Sequence, residues 1–222
     1  MGTVSINKLG GYSVMLGPII ALIGYFLQPG GMLIDAADPA NATASLMAIT
    51  SNSTLGTVTG IVVSLGLIIF LYGLFVVREN VAANGNGSAL AGYGTQFLMI
   101  GIIGWVISSG LNSAIAGSSL AVASEAAAAG ALYAATLGIG AISGLLAGLG
   151  FLALALAIST RDDSNKIFAL VAAVVAIVAV IAVLVGGFDS AQLEAMQPVI
   201  GVCYLIHCAW LITLGLGLIN KE

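Results

Sequence analysis

Residues Ile167 to Phe188 read IFALVAAVVAIVAVIAVLVGGF. The stretch passes without one charged or amide side chain, and a water-exposed helix of that length needs a polar face. The hydrocarbon core of a bilayer is about 30 Å thick and takes roughly 20 apolar residues of helix to cross. Helix is forced there, because lipid satisfies no backbone N–H or C=O. A transmembrane β-barrel would alternate polar and apolar residues along short segments, and this run does not alternate. With no polar face, it reads as a peripheral helix exposed to lipid.

Five further stretches fit the same description. The expected spans are 11–27, 54–77, 89–114, 132–159, 167–188 and 199–219. Composition agrees: 60% of the 222 residues are apolar and only 6% are charged, where soluble domains carry roughly 25%. The fold class expected is all-α, a six-helix bundle forming one multi-pass integral membrane domain over 1–222. Lys8 followed by SVMLGPIIALIGYFL has the look of a secretory leader, but the first span is read here as an anchor that stays.

Charge placement supports the count. Lys8, Arg78, Arg161, Lys166 and Lys221 all fall on one side of a six-span chain, while Asp35, Asp38, Glu125, Asp189 and Glu194 fall on the other. The positive-inside rule then places both termini in the cytoplasm, in a cytoplasmic membrane of prokaryotic type. With a net charge of −4 and no basic patch, nucleic acid is not an expected partner. The bilayer is.

The longest loop, 30–53, has room for an interfacial helix around Ser45 to Ile49, with Leu46, Met47 and Ile49 apolar. SSLAVASEAAAAG would carry span four well past membrane thickness, so a break is expected near Gly130. ENVAANGNGS between spans two and three has the chemistry of a flexible link.

Lipid gives helices no hydrophobic reason to associate, so small residues that let backbones approach must do so. Gly140, Gly144 and Gly148 form a small-xxx-small run, which predicts a central position for span four. The stripe serves internal packing, or else contact with other subunits or a second copy. Pro18 removes a backbone donor inside span one and predicts a kink. Aromatics near span ends, including Tyr25 and Tyr133, read as interfacial anchors.

Ionised groups inside a membrane are the default functional candidates, and no Lys, Arg, Asp or Glu falls inside an expected span. That argues against ion-coupled pumps and retinal pigments. No catalytic residues and no metal ligand set are assigned, and the chain is read as a non-enzyme. The remaining chemistry sits in CYLIHCAW, residues 203 to 210, with the sole histidine and both cysteines. His207 lies about 14 Å below Pro198 at helical rise, near the midplane. Cys203 shares its face, and Cys208 points elsewhere. Two ligands on one face are too few for zinc or copper. Haem on His207 as a lone axial ligand is the cofactor reading; the plainer one is a hydrogen bond to a neighbouring helix, with Ser143 at similar depth. Span three is the most polar. Gln96, Ser108, Ser109 and Asn112, with Ser143 and His207, either bond helices together or line a polar cavity.

Three functions follow from these features. The first is a non-catalytic accessory or scaffold subunit that packs against other membrane proteins through small-residue faces. The alternative is a small transporter or channel for a neutral or apolar solute. The second alternative is a haem- or metal-binding subunit centred on His207. A cavity reaching mid-membrane would favour the transporter, and a dry, filled interior would eliminate it.

Overall fold

The computed structural model describes residues 4–83, 85, 87–162 and 164–221, and among them it is helical with no strand. The elements are α1 (Ile6–Phe26), α2 (Ala42–Ser51), α3 (Ser53–Ala83), α4 (Ser88–Ala116), α5 (Ala123–Ser159), α6 (Lys166–Phe188), a 3-10 turn (Ser190–Gln192) and α7 (Leu193–Ile219). All but α2 and the turn are long and apolar enough to cross a membrane, six spans in all. Side-chain caps begin several of them. Ser5 accepts from the Lys8 amide, Asn41 from Ala44 and Asn165 from Phe168, each replacing a partner that a helix N-terminus lacks.

The spans form a closed ring. α1 packs on α3, α3 on α4, α4 on α5, α5 on α6, α6 on α7, and α7 returns to α1. Gly11 near the start of α1 lies against Gly215 and Ile219 near the end of α7, so both chain ends share one end of the ring. We call this the terminal end and the other the loop end. Span four (α5) is therefore a member of the ring packed on α4 and α6, and not the central helix expected from its glycines.

Close backbone approach closes the ring. A Cβ on Gly66 would stand 2.5 Å from the Ala21 amide nitrogen, and one on Gly94 2.7 Å from that of Leu154. Gly17 and Gly73 face Phe70 and Val14 backbone atoms just as tightly. α1 and α3 thus touch main chain to main chain, the contact that substitutes for a hydrophobic driving force in lipid. Of the expected stripe, Gly144 and Gly148 meet Val183 and Val180 of α6, whereas Gly140 has open space before it.

Helix α6 also shows what its sequence hid. Ala169, Ala172, Ala173, Ala176, Ala179 and Ala182 are buried, while Val174, Ile177, Val178, Ile181, Leu184 and Val185 are exposed. It has two faces, divided by size and not by polarity.

Two further expectations are corrected. No break occurs near Gly130: α5 runs 37 residues without interruption, about 55 Å. Its first turns are alanine-rich, and alanine has the highest helix propensity. Glu125 accepts from the Ser119 amide at 2.7 Å, fastening the preceding turn. The loop helix α2 is longer than expected and buries Ser45, Leu46 and Ile49 against the bundle, with Met47 outward. Arg161, between α5 and α6, is 7% exposed and donates to the Val81 carbonyl. The flexible link expected at 79–88 falls partly on residues 84 and 86, outside the described residues.

Candidate functional site: a cavity in the loop-end half of the ring

The interior of the ring divides at about the level of His207. Below that level Leu74, Leu154, Trp210 and Leu211 are all buried to 1% exposure or less, and nearer the terminal end a smaller cavity of about 120 Å³ opens beside Trp210 and Arg161. Above them a stack of rings crosses the bundle. Phe70 of α3 lies 6.3 Å from Phe151 of α5, and Phe151 stacks on His207 of α7 with centroids 4.2 Å apart and planes within 12°. These three form a floor.

Over the floor opens a cavity of about 360 Å³, within the 300–1,000 Å³ common for small-molecule sites. Small residues leave the room: Ala21 on α1, Gly140, Ala141 and Gly144 on α5, Ala182 and Gly186 on α6. α1 runs unbroken through Pro18, which lines the cavity as well. Trp105 and Tyr204 meet edge-on at 5.4 Å and 87° across its width, from α4 and α7.

The lining contains no Asp, Glu, Lys or Arg. It does contain polar groups with nothing to bond. Among the described residues, the side chains of Tyr25, Trp105, Ser109, Asn112 and Tyr204 make no hydrogen bond to protein. Ser108 is satisfied, donating to the Thr136 carbonyl at 3.2 Å between α4 and α5. His207 is fully buried, with Nε2 3.1 Å from the Ala172 carbonyl on α6. A carbonyl only accepts, so Nε2 carries the hydrogen and Nδ1 is an acceptor. Nδ1 has no partner. Buried polar groups are normally paired, and leaving one unpaired costs about 1–3 kcal/mol. The unpaired side chains of Tyr25, Trp105, Ser109, Asn112 and Tyr204, gathered around one apolar cavity, mark a place for water or a ligand.

The expected site residues are thus partly gathered. Ser108, Ser109, Asn112 and His207 meet around one space. Gln96 does not; it is exposed on the outside of α4. Ser143 is buried against Gly101 and Gly104 of α4 and is not the partner of His207. Cys208 lines the cavity, contrary to the expectation that it points away, while Cys203 is buried outside the lining. Both thiols are free. No group of three or more His, Cys, Asp or Glu side chains suited to a metal ion forms among the described residues.

Sequence reasoning missed the aromatics. Tyr25 and Tyr133, taken for interfacial anchors, line the cavity, as do Trp105 and Tyr204. One signal was present. Trp105 and Tyr204 lie well inside their spans, away from the interfaces where such amphipathic rings belong, and a buried Trp N–H or Tyr O–H ordinarily finds a partner.

Compared with known proteins, this chain matches no family model, and neither a curated protein nor a solved structure is similar to it.

Proposed function

We propose that this chain is a small membrane transporter that takes a neutral, largely apolar molecule into the loop-end half of its ring. The observation that carries the reading is the cavity down to His207, lined without charge but with unpartnered hydroxyl, indole and amide groups. An ion would find no counter-charge there, and an unpaired charge at that depth costs several kcal/mol. A molecule with an apolar body and a few donors or acceptors would satisfy the orphan groups and fill the space. The layer of buried side chains below, Leu74, Leu154, Trp210 and Leu211, separates this cavity from the terminal end, as a carrier requires if it is not to leak. The reading is non-catalytic. With the cations gathered at the terminal end, we place both termini in the cytoplasm.

The native cysteines provide the test. N-ethylmaleimide, a small neutral reagent, should label Cys208 in the folded protein and spare Cys203, whose labelling should need denaturation. Peptide mass spectrometry reads both sites at once. If Cys208 stays unlabelled until the protein is unfolded, the cavity is not open and the transporter reading falls.

The accessory or scaffold reading comes second. Two of the three glycines that motivated it, Gly144 and Gly148, are occupied by α6; co-purification with larger membrane proteins in mild detergent would restore it. A haem on His207 would need a free nitrogen lone pair, but Nε2 is bonded to Ala172 and Nδ1 is enclosed. We carry that reading no further.

A further inference from the structure

The axis of the ring is capped at the loop end. Pro29 and Pro39 are buried. Tyr133 on α5 donates to the Pro39 carbonyl at 2.9 Å, and Ser45 on α2 donates to that of Asp38 at 3.2 Å. α2 lies against α3, α4 and α5, with Leu46 and Ile49 clustered on Ile115, Ala116, Ala129 and Tyr133. Met32 reaches across to α7, where a Cβ on Gly201 would stand 3.3 Å from its sulfur. A water-borne molecule coming down the axis meets this cap.

The wall between α5 and α6 is different. The two helices touch at Gly148, where a Cβ would lie 2.6 Å from Val180, and at Gly144, 3.1 Å from Val183. One turn higher they part. A Cβ on Gly140 would meet nothing within 4 Å, and neither would one on Gly187 near the top of α6. Both residues line the cavity, and Gly187 is also exposed. The gap therefore connects the cavity to the outside. Its rim is apolar, with Ile142, Leu184 and Phe188 exposed. Along the helices it spans from about 22 to about 32 Å above the terminal ends of α5 and α6. In a hydrocarbon core about 30 Å thick, that is the leaflet on the loop side.

We infer that the ligand enters sideways, from that leaflet, through the slot between α5 and α6, and that its class is a membrane-dissolved neutral amphiphile: an apolar body with one or two hydroxyl or amide groups. This rests on the transporter reading above and narrows it. The lipid-facing slot admits molecules already concentrated in the bilayer, while the cap and the charge-free lining turn away polar solutes from water. Once inside, hydroxyl or amide groups on the ligand reach the side chains of Tyr25, Asn112 and Tyr204, which have no protein partner.

The test uses the full chain in phosphatidylcholine vesicles, with 1-pyrenebutanol as a neutral amphiphilic probe. Energy transfer from Trp105 to pyrene reports occupancy, and Trp105→Phe defines the background. Gly140→Phe and Gly187→Phe each start a side chain in space the structure leaves empty, so both should fold; an unfolding midpoint in detergent equal to that of wild type confirms it. Gly110→Phe, on the exposed side of α4 with nothing within 4 Å, is the control. Both slot variants should slow uptake by about tenfold or more, as an obstructed entry does, and the control should match wild type. Uptake through the slot variants at the wild-type rate overturns sideways entry and leaves the cavity reading standing. Absence of uptake by wild type whose Cys208 still labels overturns the amphiphile class. Absence of both uptake and labelling takes the transporter reading down with it.

Discussion

The two halves of the ring are built from the same six helices and differ in how their interior is filled. In the terminal half, large side chains from every direction meet: Leu74, Leu154, Trp210, Leu211 and, at the boundary, Phe70, Phe151 and His207. In the loop half the inward positions are Ala21, Gly140, Ala141, Gly144, Ala182 and Gly186, and the large residues present carry polar handles. The first half holds the helices in place. The second encloses a space that the chain does not fill, under a cap held by Tyr133 and Ser45. Rigidity and vacancy are separated along the membrane normal, so the cavity can be altered without loosening the bundle.

That contrast can be broken experimentally, and the largest effect is expected at Trp210. Trp210→Ala empties a buried position and should cost about 3–5 kcal/mol, read as a lower unfolding midpoint in detergent. Trp105→Ala, on the cavity wall, should cost clearly less. Equal losses would mean that the loop half is packed as tightly as the other. The glycines come next. Gly73→Val drives a side chain into the Val14 backbone and should destabilise by about 1–3 kcal/mol. Gly140→Val enters open space and should leave the midpoint where it is or raise it. A Gly140→Val variant as damaged as Gly73→Val would refute the empty slot. The smallest difference concerns hydrogen bonds. Ser108→Ala loses the bond to Thr136, worth about 0.6 kcal/mol between helices in a membrane, whereas Asn112→Ala breaks no bond to protein and should be neutral. A larger loss at Asn112 would indicate a bond that the cavity assignment lacks.

The two halves were also unequally legible. Each span announced itself, because solubility in lipid is a property of a continuous run and needs no partner to be recognised. The loop helix followed from composition. The reading failed wherever an answer depended on a second helix. α6 looked featureless because hydropathy does not separate alanine from valine, although in lipid the alanine face is the one that packs. Cys208 was turned away from His207 by considering α7 alone, yet the cavity is wide enough to touch both. Ser143 shared the depth of His207 but belongs to the α4–α5 contact, and the histidine found a backbone carbonyl, a group present at every residue and so invisible as a candidate. The expected break at Gly130 assumed that a helix ends where the membrane does, but an alanine-rich segment with Glu125 fastening the turn before it carries α5 to 37 residues.

The sequence by itself determined six apolar helices long enough to cross a membrane, with all five cations at one end of them and no ionised group inside the expected spans, because transfer into hydrocarbon selects residue by residue. Only the tertiary structure decided that the helices close into a ring, that one half is filled and the other hollow, and that a few neutral polar groups from distant spans face one space. Those outcomes depend on the sizes of side chains that meet across the ring. Size complementarity between residues far apart in the chain leaves no periodic trace in either partner alone.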